Sequence, residues 1–434
     1  MYSDGDHEQM AVRYSAEQIV ELEFLEAVRR RPGMYIGNNN LHGLHHILLE
    51  VLDNAVDEAM AGYATRILVS IEKDGAVTVD DDGRGIPVEY KPDSGMSALT
   101  QVMLKPHAGG KFGGDDSAYS SSGGLHGIGL KTTNAFSEYV EVEVRRYGLV
   151  FRQRFENGGV PVTAVEIFDA GGEKVGEINE ETELVLDRRG TAAGLLVKGK
   201  KVKVNAEPKQ ASGTTFHFRP HRAWFSRDME WPNPDTFVPW DAERLDTRFR
   251  QISHLYPGVR IEFTDYRQAE PEKRVYYSKN GLIDYIEYLN EGIETLHKPI
   301  LFKEKAVVDT DAGKDKGSVE VEVAIQYAGE ETQIYSFVNA IPTPLGGTHV
   351  AAFKAGLTKA VKQFAASKKL IKGEEDVRGD DALLGLTAIV KITMTGTPQF
   401  LSQTKESLTS PEVHGPVLSA TYGYMIDYLE KNMP

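Results

Sequence analysis

Hydrophobic and polar positions alternate in two rhythms along the chain. From Leu41 to Ala61, the residues Leu44, Leu48, Val51, Leu52, Ala55, Val56 and Ala59 recur at helical spacing and predict a long amphipathic helix closed by Gly62. A shorter helical pattern covers Ala16–Arg30 and stops before Pro32-Gly33. β-rich runs predict strands at Arg66–Glu72 and Ala76–Asp80, joined by the turn Lys73-Asp74-Gly75. Helix resumes from about Gly129, followed by strands at Tyr139–Arg146, Leu149–Phe155, Ser212–Phe218 and Val259–Thr264. A boundary is placed near residue 280. Beyond it come a helix at Gly281–Asn290, strands at Ser318–Tyr327 and Gln333–Asn339, a helix at Val350–Ala366, a strand at Leu386–Met394 and a helix at Val413–Lys431. Residues 1–15 read as a flexible arm, 105–129 as a Gly- and Ser-rich loop, 156–211 as hairpins or an insertion, and 373–381 as an acidic loop. Strands and helices mix without regular βαβ alternation, so the predicted class is α+β.

Composition narrows the picture. The 434 residues are enough for two or three domains, and 41% hydrophobic content is enough for a sizeable core. No run of about 20 apolar residues suggests a membrane span, and the acidic N-terminus lacks a signal-peptide core. The absence of cysteine excludes disulfides, thiolate metal sites and cysteine nucleophiles, and fits a cytoplasmic protein. The net charge of −15 argues against nucleic-acid binding by the whole surface. Residues 351–372, however, hold six Lys and no acid, so they form either a solvated basic face or a local DNA contact.

Three segments carry candidate chemistry. On the long helix, His46, Glu50, Asn54 and Asp57 are separated by steps of four, four and three residues and share one narrow stripe. Such a stripe is either a solvated face or a set of groups that can orient water and bind a metal. His42, His45 and His46 straddle the helix without an HExxH pattern, which favours ordinary histidines over a zinc site. The run Asp80-Asp81-Asp82-Gly83-Arg84-Gly85-Ile86-Pro87 ends the second hairpin strand, and alternation points one Asp inward. A buried carboxylate needs a donor, which an adenine amino group would supply, and the glycines would let backbone approach a planar ligand. Gly109-Gly110-Lys111 is not a Walker A loop, because Lys105 and Phe112 occupy its required Gly and Ser/Thr positions. The order G-x-x-G-x-G across Gly124–Gly129 is not the Rossmann order, yet free N–H groups at a helix N-terminus still favour anions.

Five motifs occur in sequence: Arg31–Gly37 (RPGMYIG), Glu50–Ala59 (EVLDNAVDEA), DDGRGIP, HAGGKF and SGGLHGIG. In this order they resemble the N-terminal ATPase region of the type IIA topoisomerases, as found in the gyrase B proteins and their topoisomerase IV E-type paralogues. These belong to the GHKL ATPases, together with Hsp90, MutL and histidine kinases. Gly346-Gly347-Thr348-His349 and Phe400–Lys405 (FLSQTK) are similar to that family's transducer domain. The resemblance implies a GHKL (Bergerat) α/β sandwich over 1–280, with a dimerisation arm at 1–15; residues 163–206 depart from it and read as a probable insertion, either a surface hairpin or a DNA or subunit contact. A ribosomal-protein-S5-domain-2-like transducer over 281–434 would follow the sandwich.

The resemblance also implies site roles. Glu50 would orient or deprotonate water with help from His46, and Asn54 would hold Mg²⁺. Asp57, Arg84, Gly85, Ile86 and Pro87 would line the nucleotide site, with Asp81 and Thr214 at the adenine. Lys111, Tyr119, Gly123, Gly124, Leu125, His126, Gly127, Ile128 and Gly129 would surround the phosphates. Gln403 and Lys405 would reach the γ-phosphate, and Tyr14 a nucleotide held by the other protomer of a dimer. Implied partners are ATP, double-stranded DNA, a gyrase A-type (or topoisomerase IV C-type) protein and a second copy of the chain. Aminocoumarin inhibitors are implied near Asp81, Arg84 and Arg146. The metal-binding module of strand cleavage has no match, so a fragment that hydrolyses ATP without cleaving DNA is expected. An Hsp90- or MutL-like clamp would share the helix and the glycine loops, but not RPGMYIG, HAGGKF or QTK.

Overall fold

The computed structural model describes residues 22–110, 127–207, 211–226, 238–309, 316–372, 377–402 and 405–432. Eight α-helices lie among them: α1 Phe24–Arg30, α2 Leu41–Met60, α3 Ala98–Leu104, α4 Gly129–Ala135, α5 Ala242–Leu255, α6 Leu282–Leu289, α7 Thr348–Ser367 and α8 His414–Asn432. The α2 boundaries follow the apolar periodicity, and Asn40 caps its start by accepting from the His42 amide at 2.8 Å. Helix α1 begins later than its pattern suggests, at Phe24; the expected residues 16–21 lie outside the described residues, as does the arm at 1–15.

The first sheet has ten strands. Its order is Glu272–Tyr276, Arg260–Asp265, Arg66–Ile71, Val77–Asp81, Gly213–Pro220, Ser137–Arg146, Leu149–Glu156, Val165–Phe168 and Lys174–Ile178, with Val160–Pro161 paired to the side. The predicted hairpin is present, with Gly75 in the left-handed conformation its turn requires. Leu44, Leu48, Val51, Leu52 and Val56 of α2 are buried in the same core as Ile67, Val69, Val77 and Val79 of the sheet. The segment 163–206 is more integrated than a surface insertion: two of its strands extend this sheet, and Val165, Ile167, Ile178, Ala192 and Leu195 join its core. The remaining three strands, Thr182–Leu186, Ala192–Val197 and Lys200–Val202, form a small separate sheet.

The second sheet has five strands in the order Ile300–Asp309, Lys316–Tyr327, Leu386–Met394, Gln333–Val338 and Ile341–Pro342. Helices α7 and α8 share a core with one face, through Phe353, Leu357, Val417 and Met425 against Val321, Val323, Val390 and Ile392. On the other face Leu282, Tyr285 and Ile286 of α6 pack with Leu255 of α5 against Ala324, Phe337 and Ile389. Strand Leu386–Met394 is thereby buried on both sides.

Helix α5 is absent from the sequence reading, because buried polar residues such as Arg248 and His254 interrupt its apolar face. Asp241 accepts from the Glu243 and Arg244 amides as an N-cap, and Leu245, Phe249, Ile252 and Leu255 recur on one face. The strand Ile300–Asp309 was likewise not anticipated. It is an edge strand whose outer half is largely exposed, and Lys303, Glu304 and Lys305 interrupt its apolar alternation.

Candidate functional site

The site is built between α2, the end of strand Val77–Asp81 and the start of α4. The three consecutive aspartates do three different things. Asp80 faces one side of the sheet, where it accepts from Arg145 at 2.6 Å and from Thr215 at 2.5 Å. Asp82 caps the neighbouring strand by accepting from the Thr65 amide and hydroxyl and from the Arg66 amide. Asp81 turns to the helix side and is buried, with the Gly83 amide donating to it at 2.9 Å. Burial pushes its carboxyl up to about 7. The nearby charges of Glu58 and Asp80 add to this, and the Gly83 and Thr214 backbone amides oppose it.

Thr214 lies directly opposite Asp81 in the sheet, and its hydroxyl accepts from the Ile86 amide at 3.3 Å. The glycines here are required by the protein itself. A Cβ on Gly83 would come within 2.8 Å of Glu58 and Asp81, and one on Gly85 within 3.0 Å of Arg146 and Gly213. Gly213 sits against the Asp81 carbonyl, where a Cβ would lie 2.0 Å away. Arg84 is fixed by Glu58, which accepts from its backbone amide at 2.7 Å and its guanidinium at 2.8 Å, while the guanidinium lies 3.9 Å over the Tyr63 ring. Sequence reasoning missed Glu58, which reads as one more acid on a helix end. Arg146 donates to the Gly85 carbonyl at 2.8 Å, closing this wall. Pro87 follows in the same irregular segment.

On α2, the His46 ring stands 3.5 Å from the Glu50 carboxylate. The Asn54 amide nitrogen donates to the Glu50 backbone carbonyl at 2.5 Å, so its oxygen is the end of that amide suited to a hard cation. Among the described residues no group of three or more His, Cys, Asp or Glu could hold a metal ion. His45 is occupied structurally: its ring bonds the Leu41 carbonyl, accepts from the Asp241 amide and meets Trp240 edge-on. Asp57 is buried, and its charge, after burial itself, helps push the Tyr256 hydroxyl up.

Helix α4 begins on the Glu50 carboxylate. A Cβ on Gly129 would lie 1.8 Å from Glu50 Oε2, so only glycine allows this approach. Polar side chains lock the rest of α4 in place. Lys131 donates to the Ala108 carbonyl, Thr133 to Ile47 and Asn134 to Met103, all from buried positions. Gly127 and Ile128 lead into the helix. Lys111, Tyr119, Gly123, Gly124, Leu125, His126, Gln403 and Tyr14 lie outside the described residues.

Lys405 lies on a loop of the second unit that the GGTH motif clamps. The Leu345 amide donates to Glu406, Leu408 to Gly346 and Thr348 to Leu408, each at 3.0 Å. A Cβ on Gly347 would lie 2.1 Å from the Leu408 carbonyl. Burial and the Arg244 and His46 charges hold His42, at the start of α2, low, and the charge of Glu406, next to Lys405, opposes them.

Comparisons with known proteins identify the family and the fold. Residues 39–223 match the family of histidine kinase-, DNA gyrase B- and HSP90-like ATPases, and residues 281–434 match the DNA gyrase B family. The gyrase B protein of Thermotoga maritima is 39% identical over 409 residues, 94% of this chain and 56% of the relative. The gyrase B protein of Archaeoglobus fulgidus is 38% identical over 426 residues, covering 98% and 57%. The 43K ATPase domain of Thermus thermophilus gyrase B, solved with an aminocoumarin, superposes with a TM-score of 0.64 at 31% identity, covering 95% of this chain and 91% of that one. The chain belongs to the DNA gyrase B family. The topoisomerase IV ATP-binding domain of Francisella tularensis, solved with a small-molecule inhibitor, has the same TM-score at 25% identity, covering 94% and 92%. The fold is therefore a GHKL ATPase sandwich followed by a transducer domain. The chain spans a little over half the length of the gyrase B relatives it matches. No helix among the described residues is long and apolar enough to cross a membrane.

Proposed function

We propose that this chain binds and hydrolyses ATP as the nucleotide-driven gate of a type IIA topoisomerase, of gyrase B or topoisomerase IV type. One observation carries the reading: the single helix α2 meets the segment after the buried Asp81 carboxylate through Glu58 and, two turns earlier, presents the Glu50 carboxylate to the helix N-terminus at Gly129. Asp81 accepts the adenine amino group, with Thr214 beside it and the Arg84–Pro87 segment as the wall. Glu50, oriented by His46, positions a water in line with the γ-phosphorus and takes its proton as the new P–O bond forms and ADP leaves. Phosphoryl transfer needs mainly such positioning and charge neutralisation. Mg²⁺ held at Asn54 supplies positive charge to the phosphates when bound. Lys111, Gln403 and Lys405 supply further contacts to the phosphates, and Gly123–Gly129 supply backbone N–H groups.

In this reading the first domain ends near residue 280 and the second is the transducer. Only ATP carries the γ-phosphate that Gln403 and Lys405 reach, so hydrolysis releases the second domain from the first. ATP-driven dimerisation, with Tyr14 of the arm on the other protomer's nucleotide, would gate a DNA segment. DNA, the A-type protein, aminocoumarin binding and a cytoplasmic setting belong to the same proposal. A supercoiling assay of the full-length subunit with its A- or C-type partner separates the two types: negative supercoiling identifies gyrase, and decatenation without it identifies topoisomerase IV. In sedimentation velocity, a non-hydrolysable ATP analogue with Mg²⁺ shifts the chain from monomer to dimer. An unchanged sedimentation coefficient contradicts the gate.

A further inference from the structure

Helix α5 bridges the two sheets through two buried cations, neither of which the proposed ATPase chemistry uses. Arg248 is 6% exposed. One of its guanidinium nitrogens donates to Asp53 Oδ1 at 2.9 Å, and the other donates to the Ala340 carbonyl at 2.9 Å. Asp53 belongs to α2 and directly precedes Asn54, three residues after Glu50. Ala340 belongs to the second sheet's turn, where Asn339 and Ala340 both adopt positive φ.

That turn is held firmly. Asn339 exchanges side-chain bonds with Met394, and its amide donates to Ile392. Seven residues along α5, about 10 Å and on the same face, the Leu255 carbonyl accepts from Lys391 Nζ at 2.7 Å. Lys391 is 7% exposed, pairs with Glu322 at 3.0 Å and lies 4.8 Å over the Tyr256 ring. A cation at a helix C-terminus also complements its dipole.

We propose that Arg248 is a positioning residue that couples the α2 catalytic helix to the transducer sheet, with Lys391 anchoring the far end of the same strut. The inference rests on the ATPase reading above. The guanidinium fork fits this task because its two ends bind different elements in fixed geometry, which a single ammonium does not reproduce. A displacement of α2 on nucleotide binding must either carry α5 and the 339–340 turn with it or break one of these two bonds. Buried bonds of this kind favour the first outcome.

The absence of cysteine makes a direct test available. Spin labels at Asp93→Cys and Glu330→Cys, both exposed and on opposite units, report the distance between them by pulsed electron resonance. In the parent, a non-hydrolysable ATP analogue with Mg²⁺ shifts that distance. In Arg248→Gln and in Lys391→Met the shift is lost, while calorimetric nucleotide affinity stays within about twofold. Turnover by Arg248→Gln falls roughly tenfold in kcat with KM nearly unchanged. Arg248→Lys restores part of the shift. Adding Asp53→Asn to Arg248→Gln costs nothing further, because the two residues act as one unit.

A distance shift in Arg248→Gln equal to the parent's overturns the proposal. So does a loss of kcat matched by equal losses of binding and melting temperature, which marks a merely structural role. A parent that binds no nucleotide overturns the ATPase reading and this inference together. A parent that binds and shifts beside variants that shift equally overturns this inference alone.

Discussion

Asp81 is the residue whose chemistry depends most on its surroundings. Burial disfavours the charge and pushes its carboxyl up to about 7. On the proposed function, a bound adenine amino group would donate to the ionised form and lower that value. Nucleotide binding near pH 7 therefore releases a proton, and affinity weakens as pH falls below 7. Calorimetry in buffers of different ionisation heat detects this as a buffer-dependent enthalpy, whereas a single enthalpy in all buffers contradicts it. For stability the sign is reversed from the usual carboxylate. Between the ordinary value of 3.8 and about 7 the folded chain holds a proton that the unfolded chain has lost, so this group's contribution falls as pH rises through that window. Gly129 gives a second residue-level prediction. Gly129→Ala places a methyl on Glu50 and displaces its carboxylate, and turnover falls about 100-fold by misplacement. Single-turnover ATP hydrolysis measures this; unchanged turnover would show that the carboxylate position at Gly129 is not the reactive one.

At the scale of elements, the sequence disclosed what repeats and concealed what is contingent. Helix α2 was readable because seven apolar residues share one face, and the Asp81 strand end because alternation lets only one of three aspartates face the helix side. Helix α5 was concealed by its polar content: Arg248, Ser253 and His254 are buried beside its apolar residues, and their partners lie far away in sequence. Glu58 and the Gly129–Glu50 contact were concealed for the same reason, since each is a pairing of distant segments. The GGTH motif shows how such pairing sets stability. His349 at the start of α7 is buried with one ring nitrogen on the Thr343 hydroxyl, and burial pushes it down to about 4. The unfolded chain takes up a proton near 6.5 and the folded chain does not. Stability is therefore full above 6.5 and falls as pH drops from 6.5 towards 4, by about 3 kcal/mol. Thermal melts across this range show the fall; His349→Gln removes that part of the slope, and a variant with the same slope as the parent would contradict the assignment.

For the whole molecule, the two sheets are tied together through helix α2. Arg248 of α5 joins the middle of α2 to the second sheet. The net charge of −15 is unevenly distributed, and the lysines of α7 gather in one place. Lys354, Lys359 and Lys362 line one cleft of about 490 Å³ on the second unit, with Gln363, Asp380 and Leu383. Replacing those three lysines together is expected to lower DNA-stimulated ATP turnover and leave the basal rate unchanged; an equal loss of both rates would mark a structural effect. The central claim remains that Glu50 serves turnover and not binding. It is tested most directly by measuring nucleotide affinity and ATP turnover side by side in Glu50→Ala. Affinity is predicted to stay within a few-fold of the parent's, with turnover lower by at least about 100-fold. Turnover near the parent's, or loss of binding together with turnover, would contradict it.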